Sequence, residues 1–143
     1  MRLLFIILTL ASILTSCKNE KINVNDFLQC SKSQNLDSTA IANKLTGNWR
    51  WKKQSCYWTA QTKKADKDVK VIFNTSRTFT VSQNDIIIAQ GTWRLKIVDS
   101  NMYGLDLSQF SEYLNGCILF CNNEILFNDS YRDGCDNLFG KSN

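Results

Sequence analysis

From residue 47 to residue 141, apolar and polar positions alternate with a period of two, the pattern of strands with one buried face. In residues 47–58, Trp49, Trp51, Ser55 and Tyr57 share one face, while Asn48, Arg50, Lys52 and Gln54 share the other. Lys53 has the parity of the rings, where a charge is costly unless it lies at a mouth or meets an anion. Residues 69–73 and 77–81 alternate around Asn74-Thr75-Ser76 and form a hairpin. Further alternating runs follow at 86–97, 102–107, 117–121, 124–128 and 135–141. Between them stand turn residues, among them Gln83-Asn84-Asp85, Asp99-Ser100-Asn101 and Asn122-Asn123. Residues 108–116 read as an irregular or briefly helical link, and eight short strands in succession with nothing of βαβ type predict an all-β, eight-stranded, antiparallel up-and-down barrel.

Ahead of the strands the pattern is different. Asp37, Ser38 and Thr39 offer capping oxygens for a short helical turn over residues 40–45, ended at Gly47. Residues 17–36 are rich in Lys, Asn, Ser and Gln and read as a polar tether to a barrel domain spanning 37–143. Residues 3–14 are a nearly unbroken apolar run behind Arg2, too short to cross a bilayer and ending in small residues. They lead into Leu14-Thr15-Ser16-Cys17, which resembles the lipobox of bacterial lipoproteins. That resemblance implies that residues 1–16 are a signal peptide and that Cys17 is the site of lipid attachment. It also implies a cell-envelope location, with the outer membrane expected.

Composition narrows the chemistry. The signal carries Arg2, one of 17 basic residues, and none of the 13 acidic ones, so its removal lowers the net charge from +4 to +3. Such a mild imbalance does not suggest nucleic acid, which calls for a concentrated basic face. With no histidine anywhere, the commonest general base and the commonest metal ligand are both missing. No metal site, cofactor or catalytic residue is predicted, and an enzyme is the least favoured class. Acidic residues such as Asp66, Asp68, Asp85 and Asp99 fall in predicted turns, where capping is their local role.

Five cysteines besides Cys17 enter an oxidising compartment, leaving one thiol without an intrachain partner. In a closed barrel the end of the first strand lies beside the start of the last, which predicts a Cys56–Cys135 disulfide. The parity of Cys56 matches that of Asn48 and Arg50 and places this bridge on the outer face. Cys121 or Cys30 with Cys135 is the alternative pairing. Cys117 and Cys121 lie four apart on one extended strand and cannot meet.

Two segments echo each other: Gly47-Asn48-Trp49-Arg50 and Gly91-Thr92-Trp93-Arg94. A Gly-x-Trp opening the first strand behind a short helical turn resembles the lipocalin-like, or calycin, families, and the later strand order over residues 45–141 is similar to theirs. Many lipocalins stack a late arginine over the first-strand tryptophan; by position Lys141 is the candidate here. One reading is a binding module, expected to be a monomer, whose inner wall holds one small apolar ligand among Trp49, Trp51, Lys53, Tyr57, Phe73, Trp93 and Tyr103. The other reading is a protein- or glycan-interaction module that presents the 59–68 loop, with Lys63, Lys64 and Lys67, to a partner.

Overall fold

The computed structural model describes residues 21–59, 62–99 and 101–142. Two short helices, α1 (Val24–Ser33) and α2 (Ser38–Leu45), precede nine strands. These are β1 (Gly47–Cys56), β2 (Thr62–Lys64), β3 (Val69–Phe73), β4 (Thr78–Gln83), β5 (Ile86–Asp99), β6 (Met102–Leu107), β7 (Cys117–Cys121), β8 (Glu124–Asn128) and β9 (Cys135–Ser142). Each strand from β3 onward pairs antiparallel with the next, and β9 returns to pair with β1. β2 and β3 both lie along β1, so they act as one interrupted strand and the sheet is a closed eight-stranded antiparallel barrel. The fold class is therefore as the alternation predicts. The charged loop differs: it contains β2, which pairs Lys53 with Lys64 and Ser55 with Thr62.

The segment read as a tether also differs. Over residues 21–36 it is part of the folded unit, because α1 lies against the outer wall. Asn23 caps α1, its side-chain oxygen accepting from the Asp26 amide, and Asp26 and Lys32 sit at the ends that suit the helix dipole. Ten residues make a marginal helix by themselves, so packing has to hold it. Ile22, Val24, Phe27 and Leu28 pack on Leu119, Leu126 and Leu138, a row on the outer faces of β7, β8 and β9. A disulfide joins Cys30 to Cys121. The domain therefore begins ahead of α1 and not at residue 37. Cys17 and the boundary of the signal lie outside the described residues.

Inside, the barrel is filled. Trp49, Phe73, Phe79, Phe120, Phe127 and Phe139 are its largest fully buried side chains. At one end α2 acts as a plug, with Ile41, Ala42 and Leu45 joining the same core cluster. Asp37 caps α2 through a 2.7 Å bond from the Ala40 amide.

Candidate functional site

The closure of the barrel starts from two residues of the first strand. Trp49 donates its indole N–H to the Leu45 carbonyl at 2.7 Å, which ties the plug to the wall. The Lys141 ammonium lies 5.2 Å from the centre of the Trp49 ring and donates to the carbonyls of Lys44 and Thr46, each at 3.4 Å. Lys141 thus occupies the position over the tryptophan that its place in the sequence suggests. At Gly47 φ is +127°, a conformation open to glycine, and Lys141 passes close by.

Further along β1 an extra residue enters. Trp51 pairs with Phe139 while Lys53 pairs with Leu138, one step on β9 for two on β1, so a bulge sits at Lys52. It reverses the parity of everything after it. Gln54, not Ser55, follows Trp51 onto the inner face, and both donate at 3.2 Å to the buried Asn137 side chain. Asn137 in turn donates to the Glu112 carbonyl at 3.2 Å, so its amide is satisfied at both ends. Lys53 shares the face of Leu138, whose neighbour Phe139 belongs to the inner core and which itself belongs to the outer cluster. Lys53 is therefore not an inward charge. The Cys56–Cys135 disulfide forms as predicted by strand order, with Cα atoms 4.0 Å apart, but Cys56 follows Gln54 on the inner face and not the outer one.

The seven residues expected to line a ligand cavity are dispersed. Trp49, Trp51, Phe73 and Trp93 are buried in the packed core, where Phe73 and Trp93 meet edge to face at 5.7 Å. Tyr57 lies in the turn after β1, exposed and stacked edge-on against Trp58. Lys53 lies outside. Tyr103 borders a cleft in the wall, while Trp49 and Trp93 each line a separate surface depression.

The cleft beside Tyr103 is where the wall parts. β6 and β7 share a single register pair, Gly104 with Cys117, and below it they diverge. Helix α1 takes over the missing partnership. Ser31 Oγ accepts from the Phe120 amide at 3.3 Å, and Gln34 Nε2 donates to the Phe120 carbonyl at 2.8 Å. Lys44 of α2 donates to the Gln34 side-chain oxygen and fixes its amide. Between the diverging strands and the helices is a cleft of about 260 Å³, with Leu36, Ile41, Met102, Tyr103, Ile118 and Phe120 as its apolar lining. Ser31, Asn35 and Asn101 add polar groups, and Lys32 is the one charged residue lining it among the described residues.

The opposite end of the barrel, where β1 ends, β5 begins and β6 ends, is an exposed apolar rim. Trp58 and Phe110 are each 74% exposed, with Ile86 and Ile87 nearby in the strand order. The odd cysteine is Cys117, buried in the wall. Burial pushes its thiol pKa up, partly offset by a hydrogen bond with the Tyr131 hydroxyl, while burial and that same bond push Tyr131 up to about 12. A thiol held protonated is a poor nucleophile and a poor metal ligand. No group of three or more metal-ligating side chains occurs among the described residues.

No protein-family model matches the chain, and no match is found among curated proteins or solved structures. The closed eight-stranded barrel is consistent with a calycin-like fold.

Alternation of residue types could not reveal the cleft. It depends on two neighbouring strands separating, and the residues on both sides keep ordinary strand patterns. One local signal was available for its helical wall: Val24, Phe27 and Leu28 recur at helical spacing behind the capping residue Asn23.

Proposed function

We propose that the chain is a lipoprotein of a bacterial cell envelope, anchored through Cys17 at the outer membrane, whose lipocalin-like barrel binds a small apolar ligand without catalysing a reaction. The observation that supports the lipocalin-like reading is the closure of the barrel by Trp49, the Leu45 carbonyl and the overlying Lys141. Packing of the interior argues against a deep calyx and leaves the ligand to an opening in the wall. A second reading, an interaction module for a protein or glycan, is favoured by the exposure of Trp58 and Phe110 at the rim.

Native mass spectrometry of the mature protein purified from its own host separates the two. A retained small molecule supports ligand binding; a retained protein or glycan with no small molecule overturns it in favour of the second reading. The anchor has its own test. Cys17→Ala should leave an unprocessed or soluble precursor, since two or three acyl chains are what make membrane attachment stable. Normal maturation and membrane fractionation of that variant would contradict the lipoprotein reading.

A further inference from the structure

We propose that the cleft at the β6–β7 seam is a ligand site, and that its occupant is a compact monoanionic amphiphile with an aromatic or branched apolar end. This rests on the ligand-binding reading and places it at a definite position. The apolar end would enter between Tyr103 and Ile118 and meet Phe120, behind which Trp49 lies with ring centroids 6.2 Å apart. The anionic head would remain at the edge of the cleft beside Lys32, with Ser31 and Asn35 as further hydrogen-bonding groups.

Three features make this a built opening. First, the wall parts at this seam, so a ligand can reach core residues Ile118 and Phe120 from the side without passing the α2 plug. Second, the polar backbone that the parting exposes at Phe120 is already satisfied by Ser31 and Gln34. The apolar lining can therefore be desolvated without leaving those groups unpaired. Third, the helical wall is fixed covalently by Cys30–Cys121, so little ordering is left for a ligand to impose. The class of occupant follows from size and charge. About 260 Å³ falls below the usual range for ligand pockets, which limits the occupant to a small molecule, and the one charged lining residue among the described residues is positive.

The test uses the oxidised mature chain and three probes of one shape: 4-phenylbutyrate, 4-phenylbutanol and 4-phenylbutylamine, followed by amide chemical shifts. Saturable shifts at residues 31–35, 102–103 and 118–120, in the order carboxylate, alcohol, amine, are expected. Lys32→Gln, an exposed substitution that leaves the fold intact, should weaken the carboxylate roughly two- to fivefold and leave the alcohol unchanged. Met102→Trp should fill the cleft and abolish binding of all three. Saturable shifts that instead map to the rim near Trp58 and Phe110 overturn the seam and leave ligand binding standing. Tightest binding by the amine overturns the anionic class. No saturable binding by any of the three also overturns the proposal, while a small molecule retained in native mass spectrometry would still uphold ligand binding itself.

Discussion

The barrel wall has two seams of unlike construction. Where β9 meets β1, register pairs run from Asn48–Ser142 to Cys56–Cys135, and the disulfide stands at the end of the ladder. Where β6 meets β7 the ladder is a single pair, and a helix from outside the sheet completes the wall through two side chains and a disulfide of its own. One seam is closed by main chain, the other by side chains. Main-chain ladders are cooperative and indifferent to sequence, whereas a seam held by Ser31, Gln34 and Cys30 can be loosened one residue at a time. The same difference explains why a cleft lies at the second seam.

Removing each disulfide tests that contrast most strongly. The bridges join residues 79 and 91 apart, so the chain-entropy model assigns each about 4.5 kcal/mol. Cys56→Ser with Cys135→Ser and Cys30→Ser with Cys121→Ser should therefore lower the denaturation midpoint by similar amounts. Their local consequences should differ. Loss of Cys30–Cys121 should free α1 and raise proteolysis between residues 24 and 36 under native conditions, while loss of Cys56–Cys135 should leave α1 protected. Equal proteolysis in both variants would mean that the two seams are not distinct.

Trp51→Ala attacks the closed seam from inside. It should cost about 3–5 kcal/mol, because a buried ring is lost and Asn137 loses one of its donors. Chemical denaturation measures it, and a cost below about 1 kcal/mol would contradict a filled interior.

How far these features could be read in the sequence follows from their physical range. The Cys56–Cys135 pair was legible because strand order alone makes the first and last strands neighbours. The face on which it lies was not, because the bulge at Lys52 depends on how β1 registers with β9, and one inserted residue reverses every later parity. The same slip made Lys53 look like an inward charge. Gly47-x-Trp49 and Lys141 were legible as a closure only through the resemblance to the lipocalin-like families, whose pattern their positions match. Cys30–Cys121 was not, because the polar character of residues 17–36 hid a helix whose apolar positions have only an outer wall to pack on. The parting of β6 from β7 leaves no mark on alternation at all.

A smaller effect sharpens the open seam. Gln34→Ala removes the donor to the Phe120 carbonyl and should cost about 1 kcal/mol. Its expected mark is faster amide exchange in β7 without any change in β1 or β9.

Amide hydrogen exchange on the oxidised wild-type chain tests the contrast most directly. A wall split at β6–β7 predicts that the seam-facing amides of Tyr103, Ile118 and Phe120 exchange by local opening, well before those of residues 49–55 and 136–140 across the closed seam. Equal protection of the two seams, with both exchanging only on global unfolding, would contradict it.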